Sequence, residues 1–465
     1  MLIQNLPWSY APGETLLSNG FRLINHKDEK YIYHILSNSI LKKDSKISNL
    51  LLSLNDHPNE KEFPVHTKDL KTILSLNALT RPELKDAELP VSYLAISPTM
   101  NCNLRCTYCY NFQEGEEKKI RAMKEIDKIA ISKIVQTLNG MNLGSRVNLA
   151  FIGGEPLLYP RLLDKLCRYA EKLARKNSIK LTILVTTNGL NLKKRKIKEL
   201  ILKHDIRVSI SLDGPEEWHN ETRRLISGGG SFGKIKESID DFMSYYNNPI
   251  KAARATYKLE PGRLLRTYQY LKELGFNDIS TGSYEFETGD TQCIDTNNIF
   301  DELDLLGEEV TRDFISGTII RYAWFTEVIS NLYNARVKDV VCGATRNHFA
   351  FDVHGKMQAC HRYLGNEDYE LTLKDYYESN SSELIHEIRK HGKTIDCPKC
   401  WARSMCGGEC FHVGKEFAKK SDHDARQKFI CNYKRKKYEV AIKMYLELAN
   451  QHPEILEKIV NPVPF

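Results

Sequence analysis

The segment Asn101-Cys-Asn-Leu-Arg-Cys-Thr-Tyr-Cys-Tyr110 carries three cysteines, Cys102, Cys106 and Cys109, in a C-x3-C-x2-C run. Three thiolates on one short loop can hold three irons of a 4Fe–4S cube, whereas such clusters usually take four cysteines. A loop with only three ligands leaves one iron free to bind another molecule. The alternatives for these residues are a structural zinc site and ordinary buried thiols.

Composition is compatible with a metal site. The 465 residues include 12 cysteines, ten of which fall in two groups, and the length suggests about three domains. The N-terminus lacks a basic region followed by an apolar run, and no stretch of about 18 apolar residues exists. We therefore expect a cytoplasmic protein without a membrane span, in which thiols stay reduced and clustered cysteines serve metal binding or catalysis.

The charge balance is weakly basic, with Lys+Arg 67 against Asp+Glu 60 and a net charge of +7. That is slight support for an acidic partner. The basic run at residues 434–437 is typical of a solvated helix face, so we expect no nucleic-acid partner.

Strand and helix patterns alternate between residues 89 and 300. Strand patterns cover residues 92–97, 146–152, 180–186 and 206–212, with weaker ones at 252–257 and 277–281. Helical spacing covers residues 160–177 and 193–203 among others. This alternation predicts an α/β fold with a parallel sheet or barrel and with its chemistry at the carboxyl ends of the strands.

Three further motifs follow these strands. Gly153-Gly-Glu-Pro156 follows the second, Thr186-Thr-Asn-Gly189 the third and Ser211-Leu-Asp-Gly214 the fourth. Two glycines let a backbone approach a ligand closely, and a carboxylate beside them can accept hydrogen bonds from an ammonium group. Each of the last two motifs alone could be a simple turn.

Together with Tyr108 just before the last cysteine, these motifs resemble the radical S-adenosylmethionine (SAM) family. The resemblance implies a partial TIM-type (β/α)6 barrel whose open iron chelates SAM, and cleavage of SAM to a 5′-deoxyadenosyl radical that takes hydrogen from a substrate. It also implies SAM contacts at Tyr108, Gly153, Gly154, Glu155, Thr187, Ser211, Asp213 and Arg223.

A second group of cysteines follows in the C-terminal third. The pattern is C-x12-G-x4-C, then C-x2-C-x5-C-x3-C and a final cysteine, with Gly355 as the glycine. It resembles the SPASM extension of radical SAM enzymes, which binds two auxiliary clusters; the alternative is a pair of zinc knuckles. The resemblance implies a distal 4Fe–4S cluster on Cys397, Cys400, Cys406 and Cys431, and a proximal one on Cys342, Cys360 and Cys410.

Two features depart from the family pattern. The proximal set has three thiolates, so its fourth site is open, or is filled by Cys293, another side chain or substrate. Relatives that oxidise sulfatases carry an aspartate base after the second SPASM cysteine, whereas Cys360 is followed by His361. This counts against sulfatase maturation and leaves His361 as a weak catalytic candidate. Cys167, on a helical pattern, is interpreted as a buried apolar thiol.

The first 88 residues show no catalytic motif. Residues 21–34 predict a hairpin around a charged turn, residues 45–54 and 67–76 have helical spacing, and the polar stretch 80–85 is a candidate linker. This α+β module resembles the leader-peptide-binding domains of peptide-modifying relatives; a barrel-capping extension is the alternative. The predicted domains are therefore 1–88, 89–300 (radical SAM), 301–341 (bridging segment) and 342–465 (SPASM).

The resemblance implies a maturase that installs a crosslink in a ribosomally made precursor peptide. The implied cofactors are SAM and three 4Fe–4S clusters, and the implied partners are the peptide and an electron donor such as flavodoxin or ferredoxin. The alternatives are an oxidase or epimerase acting on a protein or peptide, and a non-catalytic iron–sulfur electron carrier. An electron carrier would not need the motifs at Glu155 and Ser211.

Overall fold

The computed structural model describes residues 16–17, 21–35, 38–42, 89–112, 126–284, 296–317, 320–379, 381–394, 396–418 and 423–461. Its strands β1 to β16 are Leu16–Leu17, Phe21–His26, Glu29–His34, Ser39–Lys42, Val91–Ile96, Leu104–Cys106, Leu143–Phe151, Lys180–Thr187, Arg207–Ser211, Arg223–Leu225, Ala252–Tyr257, Asp278–Ser283, Arg321–Tyr322, His348–Phe351, Met357–Gln358 and Glu370–Leu371. Its helices α1 to α14 are Lys128–Asn139, Pro160–Lys176, Arg195–Lys203, Glu216–Thr222, Phe232–Tyr245, Arg263–Glu273, Thr296–Ile315, Ala323–Tyr333, Leu373–Tyr377, Glu383–Arg389, Arg403–Cys406, Phe411–Ala418, His423–Gln451 and Pro453–Val460. Within these residues, no helix combines the length and apolar character that a membrane crossing needs.

A ten-stranded sheet runs through the molecule in the order β13-β12-β11-β9-β8-β7-β5-β14-β15-β16. Neighbours from β13 to β14 pair in parallel, and β15 and β16 continue the sheet antiparallel. The six predicted strand patterns coincide with β5, β7, β8, β9, β11 and β12, which are neighbours in the sheet and are joined along the chain by helices. The predicted α/β class with a parallel sheet is therefore confirmed.

The parallel sheet has one face covered by helices and a second face, which we call the inner face. Val208 and Ile210 of β9 are buried in the main hydrophobic core with Ile197 of α3. Because successive side chains of a strand alternate between faces, Ser209 and Ser211 project from the inner face, where both are partly exposed. The carboxyl end of the inner face is where the predicted motifs meet.

The predicted N-terminal hairpin is confirmed as β2 and β3, which pair antiparallel around a turn at Lys27 and Asp28. With β1 and β4 they form a four-stranded sheet. This sheet packs on the C-terminal region, since the Tyr33 ring lies edge-on to Trp401 with centroids 6.3 Å apart. The Asn38 side chain also donates to the Arg336 carbonyl at 2.9 Å. The predicted helices at 45–54 and 67–76 and the linker at 80–85 lie outside the described residues.

The C-terminal region shares the central sheet. Strand β14 pairs in parallel with β5, so the region that begins at Cys342 continues the sheet beyond its first parallel strand. The long helix α13 packs against α7 and α8. The expected boundary between residues 300 and 301 falls inside α7, and the bridging segment contains β13 and α8. The predicted regions 301–341 and 342–465 therefore share the central sheet with the region 89–300.

Candidate functional site

The three-cysteine loop lies between β5 and α1 and is held by a short strand pair. Strand β6 within the loop pairs antiparallel with β10, and this register sets Cys106 opposite Arg223. The backbone N–H of Cys109 donates to the Cys106 carbonyl at 3.1 Å. The loop that carries the three thiols is thus held by strand pairing with β10 as well as by hydrogen bonds within the loop.

The two glycines after β7 allow this strand end to approach the cysteine loop. The N–H of Gly154 donates to the Thr99 carbonyl at 2.9 Å, and that of Glu155 to the Asn101 carbonyl at 2.7 Å. A Cβ on Gly154 would lie 2.1 Å from the Asn101 carbonyl oxygen. Gly153 has a φ of 126°, which favours glycine. Sequence reasoning assigned these glycines to contact with a ligand; in the structure Gly154 packs on the loop backbone, and Gly153 lies against the Ser97 side chain and the Thr99 carbonyl.

Glu155 and Thr187 are brought together by a hydrogen bond. The Thr187 hydroxyl donates to the Glu155 carboxylate at 2.8 Å, and the backbone N–H groups of Asn188 and Leu157 donate to it at 2.7 and 3.0 Å. Glu155 is buried, and burial raises the pKa of its carboxyl. These bonds fix one carboxylate beside the cysteine loop, at the ends of β7 and β8.

Tyr108, Asp213 and Arg223 form a second buried cluster. The Tyr108 hydroxyl donates to Asp213 at 2.7 Å and accepts from the Arg223 guanidinium. The Asp213 carboxylate also accepts from the Thr256 backbone N–H at 2.9 Å. The structure therefore places these three predicted SAM contacts in bonds with one another, where they tie the cysteine loop to the ends of β9 and β10. Ser211, the last residue of β9, stays on the inner face.

The thiols of the loop fit a metal cluster. Every described cysteine is a free thiol. Burial raises the pKa of Cys102 to about 12 and that of Cys109 to about 11. A coordinating metal deprotonates such thiols, and its positive charge offsets the cost of burying the thiolates. The three side chains therefore suit a buried metal group better than a hydrolytic or redox role as bare thiolates.

The four cysteines of the predicted distal set line one cavity. This cavity has a volume of about 910 Å³ and its lining includes Cys397, Cys400, Cys406 and Cys431. The Thr394 backbone N–H donates to the Cys397 sulfur at 3.2 Å. Four thiols around a space of this size, with a donor aimed at one sulfur, fit a bulky iron–sulfur group.

The proximal set is also close enough in space to interact. Burial raises the pKa of Cys360 to about 12, and the neighbouring Cys410 and Cys342 add to this rise. Cys293, the cysteine considered as its fourth ligand, lies outside the described residues. Cys167 of α2 is fully buried in the main core, as expected of an apolar thiol.

No three His, Cys, Asp or Glu side chains converge on a single-ion position within the part of the chain that the structure describes. A tetrahedral zinc site would need its ligands about 2.3 Å from one ion. A cube, in contrast, binds each cysteine through a different iron.

Tyr110 joins the cysteine loop to the C-terminal cysteines. Its ring centroid lies 6.0 Å from that of His361 and 6.5 Å from that of His412. His361 follows Cys360, and burial lowers its pKa to about 3, so its imidazole is neutral at pH 7. Sequence reasoning missed Tyr110, although an aromatic residue directly after Cys109 was the available signal.

Comparisons with known proteins agree with this geometry. Residues 96–255 match the family model of the Radical SAM superfamily. The chain is 24% identical over 382 residues to the cysteine-type anaerobic sulfatase-maturating enzyme of Clostridium perfringens strain 13, covering 78% of this chain and 99% of that enzyme. It is 36% identical over 166 residues to the GTP 3′,8-cyclase of Clostridium botulinum strain Hall, covering 35% of this chain and 46% of that enzyme.

Two solved structures share the fold. Native anSMEcpe with bound AdoMet has a TM-score of 0.61 and 20% identity, covering 77% of this chain and 99% of that chain. Streptococcus suis SuiB has a TM-score of 0.50 and 16% identity, covering 88% of this chain and 98% of that chain. At these identities, the comparison concerns the arrangement of strands and helices.

Proposed function

We propose that this radical SAM enzyme acts on a ribosomally made precursor peptide and installs an intramolecular crosslink, through a C–C, ether or thioether bond. The observation that carries the proposal is the junction at Tyr110. It sets the three-cysteine loop beside a C-terminal region with two further groups of thiols. A crosslink needs both a hydrogen-abstracting centre and a nearby electron acceptor, and this junction brings the residues proposed for both into contact.

The cofactor assignments follow the cysteine groups. Cys102, Cys106 and Cys109 would hold the SAM-binding 4Fe–4S cluster, while the distal and proximal sets would hold two auxiliary clusters. Glu155, Thr187 and Ser211 would face SAM at the carboxyl end of a partial (β/α)6 barrel. When bound, these groups would supply a 5′-deoxyadenosyl radical that removes hydrogen from the peptide and an acceptor for the electron released at bond closure.

The chain itself contributes positioning. The buried bonds among Tyr108, Asp213 and Arg223 hold the cysteine loop in one place, and the glycines after β7 let Glu155 sit directly beside it. The inner face offers small side chains such as Ser209 and Ser211, which leave room for a peptide residue. An external electron donor such as flavodoxin or ferredoxin would restore the reduced state.

Residues 1–88 would capture the peptide. Among the described residues, β4 pairs with β3 on one side only, so its other edge is suited to strand addition by an extended peptide. Hydrogen exchange tests this in the intact protein: precursor peptide should slow amide exchange in Ser39–Lys42. Protection confined to the central sheet would instead favour the barrel-cap interpretation of this module.

A second candidate is oxidation of a protein or peptide side chain. The alignment with a sulfatase-maturating enzyme over 99% of its length favours it, and anSMEcpe has been solved with the Cp18Cys peptide bound. His361 counts against it, because it stands where the related oxidases carry an aspartate. A hydrazide probe separates the two candidates, since side-chain oxidation to an aldehyde captures the probe and a crosslink does not.

The first test of the proposal is SAM cleavage. Anaerobically reconstituted, reduced protein should convert SAM to 5′-deoxyadenosine and methionine, and a peptide encoded beside the gene should raise the yield. Protein with full iron content that leaves SAM intact would support the electron-carrier alternative instead.

A further inference from the structure

Arg254 places a positive charge on the inner face of the sheet. Its neighbours in β11, Ala253 and Ala255, are each 1% exposed and belong to the main core. Because side chains alternate along a strand, Arg254 projects from the opposite face, where it is exposed. In the register of the sheet it lies opposite Ser211 of β9 and Ser280 of β12, level with the carboxyl end of β9.

Within the described residues, the Arg254 guanidinium has neither a hydrogen bond nor an ion pair. Two acidic residues lie two positions from its partners in register: Asp278 pairs with Arg321 at 3.4 Å, and the Asp213 carboxylate accepts from the Tyr108 hydroxyl at 2.7 Å. The two residues directly opposite Arg254 are serines, which carry no charge. A guanidinium with five donors, flanked by two uncharged serines, is suited to an incoming anion.

The surroundings of Arg254 differ from those of Arg223. Arg254 lies near enough to Tyr93, Tyr110 and His361 for its positive charge to lower the pKa of each. Burial outweighs this effect for the two tyrosines, whose pKa is raised, and adds to it for His361, whose pKa is lowered. These rings belong to β5, the cysteine loop and the C-terminal region. Arg254 therefore faces the space between the loop and the C-terminal cysteines.

Arg223 lies at the other end of the site. It is nearly fully buried, bonds to Tyr108, and its charge acts on Cys106 and Glu155. The positive charge beside the predicted SAM contacts is thus already supplied by Arg223. Arg254 lies opposite Ser211, between these contacts and the C-terminal region, on the side that the peptide would enter.

We propose that Arg254 binds an acidic side chain, Asp or Glu, of the peptide substrate close to the residue that is modified. The inference rests on the proposed function, because it needs a peptide on the inner face. The planar guanidinium matches a carboxylate with two parallel hydrogen bonds, which fixes both position and orientation. A carboxylate held here lies beside Ser211, so the neighbouring peptide residue is presented to the SAM contacts.

A selection from displayed random peptides tests the proposal without turnover. Reconstituted protein with SAM bound should enrich Asp or Glu at one fixed position, Arg254→Gln should lose that preference, and Arg254→Glu should enrich Lys or Arg there. A peptide selected on the original protein should bind Arg254→Gln roughly tenfold to a hundredfold more weakly, with Arg254→Lys in between. Arg207→Gln, at the amino end of β9, is the matched control and should keep the original profile.

Identical profiles for the protein and Arg254→Gln, or no acidic preference at all, would overturn the proposal. Equilibrium dialysis measures the affinity for SAM of the protein and of Arg254→Gln. If Arg254→Gln binds SAM more than tenfold more weakly, the residue serves the SAM carboxylate and the proposal fails. Failure of the proposed function is seen separately, as absence of 5′-deoxyadenosine from the unsubstituted protein whatever its peptide profile.

Discussion

Arg223 lies directly opposite Cys106 in the antiparallel pair of β6 and β10, and its guanidinium reaches the hydroxyl of Tyr108 in the same loop. One residue thus fixes the cysteine loop through both its backbone and its side chain. Because Tyr108 also donates to Asp213, the loop is anchored to the ends of two strands that follow it by more than a hundred residues. The position of the three thiols is therefore a property of the whole sheet.

Tyr108→Phe should destabilise the protein. The change removes a hydroxyl that donates to a buried carboxylate at 2.7 Å and accepts from a buried guanidinium. A hydrogen bond to a charged group contributes about 1.5–3 kcal/mol, so urea unfolding should show a loss of about 2 kcal/mol. Tyr169→Phe, on the exposed side of α2, is the control and should change little. Equal stability of the two variants would show that the Tyr108 bonds do not anchor the loop.

Gly154→Ala should displace the cysteine loop. The new Cβ would lie 2.1 Å from the Asn101 carbonyl oxygen, and a backbone atom cannot give way cheaply. With the three proposed cubes, iron should fall from about twelve to about eight per chain, because four irons belong to each cube. Gly233→Ala in α5, where a Cβ meets nothing within 4 Å, should keep the full content. Twelve irons in Gly154→Ala would refute the proposed packing.

The cysteine groups should separate initiation from product formation. Replacing Cys102, Cys106 and Cys109 by Ala should abolish SAM cleavage, since the open iron is lost. Replacing Cys397 and Cys400 by Ala should leave SAM cleavage but little crosslinked peptide. Circular dichroism must accompany both variants, because loss of a cluster can unfold its domain. Cys167→Ala is the control and should keep its iron content. Normal amounts of crosslinked peptide from the Cys397 and Cys400 variant would show that the distal cluster has no redox role.

Lys437→Met should stabilise the protein, and more so at lower pH. Lys437 ends the basic run 434–437, which the sequence predicted to lie on a solvated helix face, yet it is only 9% exposed and lies over the Trp324 ring at 4.1 Å. Burial lowers its pKa to about 7. Between pH 7 and about 10.5 the unfolded chain holds the proton that the folded chain gives up, so stability rises with pH. The gain from Lys437→Met should shrink by up to about 1.4 kcal/mol per pH unit over this range. A gain that is independent of pH between 7 and 9 would mean that the pKa of Lys437 is not lowered.

Much of the fold could be predicted because its signals are local. Six of the parallel strands have apolar sequences that lie between helical patterns, and the cysteine groups are defined by spacing alone. The contact of Tyr110 with His361 and the packing of Tyr33 on Trp401 join residues far apart in the chain, so no local pattern reveals them. The short strand β14 was missed for the same reason, since its pairing with β5 is what defines it.

The glycine motif shows where residue-type reasoning reaches its limit. Gly153 and Gly154 indicated a close approach, and the groups that approach them here are the Ser97 side chain and the backbone of residues 99–101. The residue type shows that a close contact is needed at these positions, but it does not show which group makes the contact. Arg254 is similar, because only the register of the sheet shows that it stands between Ser211 and Ser280.

Mass spectrometry of the precursor peptide after anaerobic reaction with SAM tests the central claim most directly. A crosslink forms when one carbon loses a hydrogen atom, attacks a neighbouring group and then loses an electron and a proton. The peptide should therefore lose two hydrogens, about 2 Da, with one 5′-deoxyadenosine formed per bond. A product of unchanged mass that gains deuterium from heavy water would mean epimerisation and would contradict the crosslink.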